Sequence, residues 1–283
     1  MSWLVLTLLG ILVFSPKSLL YRVLMKDDKS DPYAQSVVFF GLGGTFALLF
    51  SLFHGGFQYQ ITLSQLLLFL PLAVCATVGP VLLFRAYQRI DASEIAILQS
   101  SQKLWAVLGA FLLLQEPFSV SKTLGTLVIV VGIAITLWRG TKFQVNEGVA
   151  LVLAATLFYA GMDLVSYYIV RDFDAISFIV YVCYLPVVTL LLLRPQAVKK
   201  ISYYFKPKYA LGVSVLALCD TVGTLCFFFA YQVGRNAAQI VPLAGLITIN
   251  SVLLGIIFLR EHTNIPNKVI GALVTVVGAV LVL

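Results

Sequence analysis

Three ionisable side chains stand where a lipid-facing helix would tolerate none. Lys103 sits in the stretch QSSQKLW, inside the apolar run Ala92–Leu114, with no other charge between Glu94 and Glu116. Asp163 and Asp220 also lie within apolar runs, and Lys17 lies seven residues from the end of another. A charge at mid-membrane costs about 3 kcal/mol or more, so such groups face protein or a water-filled cavity and mark substrate or ion paths. Reach separates the four. Seven residues of helix span about 10 Å, and a lysine stem can carry its ammonium outward over part of that distance, so snorkelling is open to Lys17. Lys103 is about 15 Å from the nearer surface, and an aspartate is too short to escape. Lys103, Asp163 and Asp220 should therefore face the interior.

Their neighbours suit a cavity wall. Gln99, Gln102 and Lys103 are spaced to share one helical face, as are Tyr159, Asp163, Ser166 and Tyr167. Asn250 follows Thr248, and Asn236 and Gln239 lie nearer the start of the same run. On this reading Lys103 and the two glutamines bind an anionic group of a small solute. Asp163 or Asp220 binds its cationic group or a coupling proton. A permanent ion pair of Lys103 with Asp163 or Asp220 is the structural alternative. The expected substrate-binding set is Lys103, Gln99, Gln102, Asp163, Asp220, Tyr159, Asn250 and Lys17.

Other chemistry finds little support. His54 and His262 lie at loop ends, and no cluster of His, Asp and Glu or Ser–His pair falls within the apolar runs. Without such a constellation an enzyme is not expected. Cys75, Cys183, Cys219 and Cys226 lack zinc spacing, so no metal or cofactor is expected. The net charge of +7 is scattered over loop ends and forms no basic face, which excludes nucleic acid as a partner. Glu94 opens a helix, where a carboxylate is favoured, whereas Glu116 and Glu261 end theirs, where it is not. The last two should accept hydrogen bonds from the start of the next span, from Ser119 and Ser121 or from Thr263 and Asn264.

The elements that must position these residues are helices in lipid. The 283 residues are 60% hydrophobic and 11% charged, with a mean hydropathy of +1.00. Segments that are apolar all round need lipid as their solvent. Cutting at charges, prolines and polar clusters gives ten spans, near 2–24, 33–53, 63–88, 92–115, 121–139, 147–170, 175–194, 208–232, 236–259 and 266–283. The first has no basic flank or cleavage site of a signal peptide. The fold class expected is an all-α integral membrane protein of ten transmembrane helices.

The chain also repeats. LAVCATVGPVLLFRAYQ (72–88) and LALCDTVGTLCFFFAYQ (216–232) agree at ten of seventeen positions, and 122–137 agrees with 268–283 at eight of sixteen. Two five-span copies follow, 1–142 and 146–283. Five is odd, so the second copy enters from the opposite side and the repeats are inverted, as in many transporters. Lys103 corresponds to Thr248, Asp220 to Ala76, Asp163 to Ser18 and Lys17 to Met162, so none of these charges belongs to the common scaffold.

The sequence resembles the EamA-like branch of the drug/metabolite transporter superfamily over its whole length. The resemblance rests on Ala86-Tyr87-Gln88 and Ala230-Tyr231-Gln232, on Glu116 and Glu261 closing spans four and nine, and on Gly125, Gly132, Gly271 and Gly278. It implies a central cavity lined mainly by spans 1, 3, 4, 6, 8 and 9, and export or exchange of small metabolites. Two departures stand out. Gln115 and Arg260 replace the glycine usual before the Glu, and Lys103 and Thr248 replace a proline frequent thirteen residues earlier.

Fourteen Lys and Arg lie in the loops after odd-numbered spans and three in those after even-numbered spans. The positive-inside rule then places both termini outside, whereas the resemblance implies cytoplasmic termini. The expected function is secondary-active export or exchange of a small polar metabolite, such as an amino acid or related amphiphile, by alternating access with a proton as a candidate coupling ion. The alternative is a flippase or transporter of a lipid-linked or nucleotide-linked sugar. The expected setting is the plasma or inner membrane, as a monomer or homodimer whose partners are its substrate and the bilayer.

Overall fold

The computed structural model describes residues 2–27, 29–114, 120–139, 142–143, 145–170, 173–234 and 243–281. Of the residues read above, Gln115, Glu116, Ser119, Asn236 and Gln239 lie outside this set. The chain runs through α1 (Trp3–Phe14), α2 (Lys17–Met25), α3 (Pro32–Phe53), α4 (Leu63–Tyr87), α5 (Ala92–Leu98) and α6 (Gln102–Leu114). It continues through α7 (Val120–Leu137), α8 (Glu147–Val170), α9 (Ala175–Leu193), α10 (Val198–Tyr204), α11 (Pro207–Gly234), α12 (Leu246–Phe258) and α13 (Ile265–Leu281). A two-residue antiparallel ladder, Trp138–Arg139 with Lys142–Phe143, joins α7 to α8.

Among the described residues, six helical segments are long and apolar enough to cross a bilayer: Trp3–Met25, Pro32–Phe53, Leu63–Tyr87, Glu147–Ser166, Ile176–Leu193 and Pro207–Phe227. Three shorter apolar helices, Thr123–Leu137, Leu246–Phe258 and Ile265–Leu281, accompany them. Outward-facing Leu12, Leu66, Leu70, Leu192 and Ile257 are each more than half exposed, as surfaces meeting lipid tails can be.

Polar caps start the long helices. Asp31 accepts the amides of Tyr33 and Ala34 ahead of Pro32, Thr62 and Gln65 form a capping box, and Asp174 accepts the Ser177 amide. Close packing is concentrated where α7 crosses α13. A Cβ at Gly132 would lie 2.8 Å from the Thr275 amide nitrogen, and one at Gly278 would lie 2.8 Å from the Gly125 carbonyl. Those glycines let the backbones touch, as expected of small residues between membrane helices.

Two helices are interrupted. The first span breaks at Ser15–Pro16, because proline cannot donate to the helical ladder. Ser251 Oγ then donates to the Ser15 carbonyl at 3.2 Å, and Asn250 Nδ2 donates to Ser15 Oγ at 3.2 Å. The fourth is broken by a 3₁₀ turn, Gln99–Ser101.

Polar contacts gather at one end of the bundle. Lys200 pairs with Asp31 at 2.8 Å and Arg89 with Glu147 at 3.0 Å. Lys268, fully buried, reaches Asp91 at 2.7 Å. Arg22 donates to the Tyr87 carbonyl, and Arg85 donates to the Tyr33 hydroxyl at 2.7 Å. Glu261 corrects the expectation drawn from its place at a helix end. It accepts the Ala92 amide at 2.8 Å, the Ser93 amide at 3.0 Å and the Ser93 hydroxyl. The free N–H groups that open α5 are better partners for a carboxylate than Thr263 or Asn264, since they carry the positive end of a helix dipole.

Candidate functional site

A cavity of about 700 Å³ occupies the middle of the bundle, within the usual range for small-molecule sites. The break at Ser15–Pro16 puts Lys17 on its wall, facing Asp220 from α11, and the two form an ion pair. The Lys17 ammonium also lies 5.0 Å from the Phe14 ring and 5.6 Å from the Tyr21 ring, a favourable arrangement for a cation. Across the cavity, Gln102 donates to Asp163 at 2.5 Å. Gln99, Tyr159 and Ser166 complete the polar wall.

Six of the eight expected residues thus meet in one cavity: Lys17, Gln99, Gln102, Tyr159, Asp163 and Asp220. Lys103 and Asn250 are not among its lining residues. The 3₁₀ turn accounts for Lys103. Three residues complete a 3₁₀ turn, so Gln99 and Gln102 eclipse. The next helical step then carries Lys103 about 100° around from Gln99, where an unbroken α-helix would leave it about 40° away. Among the described residues Lys103 forms no ion pair or hydrogen bond, so the expected pairing with Asp163 or Asp220 is corrected: Lys17 takes that role. Asn250 is engaged at the break in the first span. The side chain of Tyr167 lies outside the description.

Sequence reasoning missed the aromatic part of the wall. Phe14, Tyr21, Phe39, Phe40 and Phe178 line the cavity. Tyr21 stands four residues from Lys17 and Thr224 four from Asp220, so extending each charged residue's face by one turn would have found both. Tyr21, Phe39, Phe84 and Tyr87 form a floor of touching rings, with centroids 5.0 to 6.2 Å apart. These rings separate the cavity from the polar end.

The contacts at that end are charged. Burial works against the ionised form of Asp91, but the hydrogen bonds from Lys268 and Thr263 outweigh it and hold the carboxyl below its usual range. Asp31 is likewise lowered, with burial opposed by Lys200 and by the amides it caps. Asp27 is lowered to about 2, first by the Tyr209 hydroxyl and then by the Lys29 amide.

A profile of the EamA-like transporter family matches residues 1–138 and again residues 146–283. The chain belongs to the EamA-like transporter family. Members are membrane transporters and not enzymes. No curated protein matches the chain. One solved structure, described only as the crystal structure of a protein, superposes with a TM-score of 0.63 at 16% identity, over 98% of this chain and 94% of that one. At that identity the likeness speaks for the fold alone.

Proposed function

We propose that this EamA-like protein is a secondary-active transporter, an exporter or exchanger, of a small amine-bearing polar metabolite such as an amino acid or related amphiphile. The observation that carries this reading is the cavity's charge. Lys17 and Asp220 neutralise each other, and Asp163 has only the neutral Gln102 amide as a hydrogen-bond partner among the described residues. The three ionisable Lys and Asp side chains on the wall sum to −1. A carboxylate on an otherwise apolar cavity wall, with no cation beside it, favours a positive ligand, and the surrounding rings favour an ammonium with an apolar body. Asp163 would hold either the substrate's ammonium group or a proton, so binding of an ammonium returns the proton to water and the two exchange. An anionic pyrophosphate-linked sugar fits this wall poorly, because the single lysine on it is already committed.

Nine apolar helices and the interrupted α5–α6 make ten crossings on this reading. Two inverted five-helix copies exchange roles in alternating access. The polar end carries the lysine-rich connections, which supports a cytoplasmic position for it, in a plasma or inner membrane. Closed there by its ion pairs and its aromatic floor, the structure corresponds to a state shut on that side. The test is a thermal-unfolding screen of purified protein, since a ligand that binds only the folded state raises its midpoint. Amino acids and simple amines should stabilise the protein, and their deaminated carboxylates should not. Stabilisation by the carboxylates alone would overturn the reading.

A further inference from the structure

Outside the transport cavity, a groove of about 340 Å³ runs between α2 and α11 at the polar end. Leu20, Val23 and Gly212 line its apolar part, and Lys26 and Lys208 stand at its mouth. One apolar span ends at Met25 and the other begins at Pro207, so both lysines sit at the membrane boundary, where lipid phosphates lie. Below them Val23 on the wall is 50% exposed, and Leu211, next to the groove's Gly212, is 74% exposed. This is a surface met by acyl chains and not by water.

Lys208 stands beside the Tyr209 hydroxyl and near the Asp27 carboxylate, both of which favour its charged form, and with Lys26 the mouth keeps a net positive charge. Asp27, the acid between the lysines, accepts the Tyr209 hydroxyl at 2.5 Å and the Lys29 amide at 3.0 Å. Among the described residues neither Lys26 nor Lys208 forms an ion pair, and Lys208 rests 5.0 Å from the Tyr209 ring. Asp28 lies outside the described residues. A Cβ at position 212 would meet Leu24 Cδ2 at 3.4 Å, an ordinary contact, so a side chain longer than alanine's there would extend into the groove.

Two cations above an apolar, lipid-facing channel call for one ligand that is anionic at its head and apolar along its body. We propose that this groove binds a single anionic phospholipid, with its phosphate between Lys26 and Lys208 and one acyl chain along Val23 and Leu20 past Gly212. A zwitterionic lipid brings its own ammonium against the lysines, and free phosphate leaves the apolar part unfilled. Basic pockets between membrane helices recognise anionic head groups in this way.

The experiment is native mass spectrometry of the detergent-purified protein, titrated with phosphatidylglycerol, phosphatidylcholine and inorganic phosphate. The wild-type protein should retain one phosphatidylglycerol at least about tenfold more tightly than phosphatidylcholine, at about fivefold for each lysine. The K26Q/K208Q double variant should lose that preference. Gly212→Leu should weaken phosphatidylglycerol with both lysines in place, because it fills the groove. Size-exclusion profiles and unfolding midpoints confirm that each variant is folded, as expected for exposed lysines. Equal retention of the two lipids by the wild type, or unaltered retention by both variants, would overturn the proposal. So would displacement of phosphatidylglycerol by inorganic phosphate, which would assign the mouth to a free anion.

Discussion

Breaking the Lys17–Asp220 pair should unsettle the fold in a way that a second substitution repairs. The side chains are 28% and 23% exposed, so each is largely withdrawn from water but not sealed. Removing one partner of a fully buried pair costs about 3–5 kcal/mol, because the charge left behind has no compensation. Partial access to the cavity brings the expected cost to the lower end, about 3 kcal/mol. At about 2 °C per kcal/mol for a chain of this size, Lys17→Met and Asp220→Asn should each lower the unfolding midpoint by about 6 °C. The K17M/D220N double variant leaves no stranded charge and should return to within about 2 °C of wild type. Thermal unfolding in mild detergent at neutral pH, followed by circular dichroism, reads all three. Single variants within about 1 °C of wild type, or a double variant that falls by the sum of the singles, would refute the claim that this contact holds the first span against α11.

Asp163→Asn should abolish proton-driven amine uptake into proteoliposomes, with the midpoint within about 2 °C of wild type; retained, gradient-driven uptake would exclude Asp163 as the exchange site. Lys103→Met, which removes a half-buried cation with no partner among the described residues, should preserve uptake and leave stability equal or higher; lost uptake would return Lys103 to the substrate path. Glu261→Gln weakens a charge-assisted acceptor of three donors, by about 1.5–3 kcal/mol, so amide exchange at Ala92 and Ser93 should quicken by about tenfold or more. Stability should be fully present above pH 4 and decline below it, because Asp27, Asp31 and Asp91 are all lowered in the folded protein. The Asp27 share disappears as pH falls towards about 2; an acid titration with no loss of midpoint between pH 4 and 2 would contradict these contacts.

Much of the architecture was legible because lipid permits few solutions. Apolar run length located the long helices, and the glycines at 125, 132, 271 and 278 suit close packing, although nothing in the sequence pairs α7 with α13. Depth pointed Asp163 and Asp220 inward, since an aspartate is too short to snorkel, and both line the cavity. Lys103 misled because spacing was converted to direction by assuming an unbroken α-helix, and three residues of 3₁₀ geometry rotate it off the face it was assigned. Pro16 breaks the first span and places Lys17 on the cavity wall, an effect that reach along an unbroken helix does not reveal. The partner of Glu261 was sought nearby in sequence, but it lies about 170 residues away, and no local pattern reveals such a contact. Arg260 stands where the family usually places glycine, and its φ of 55° shows why glycine suits that position.

The two copies differ in sequence where Glu261 makes its contact. At a shift of 145, Asp91 and Ser93 correspond to Asn236 and Ala238, while Glu261 corresponds to Glu116. If the copies exchange roles, the seal at the far end would lack the Asp91 carboxylate for its lysine and the Ser93 hydroxyl for its glutamate. One charge-assisted hydrogen bond is worth about 1.5–3 kcal/mol, a factor of about ten or more in population. An empty carrier would then wait with its polar end latched. Its cargo would have to supply the energy that lifts the latch, a bias in direction written into two side chains far from the cavity.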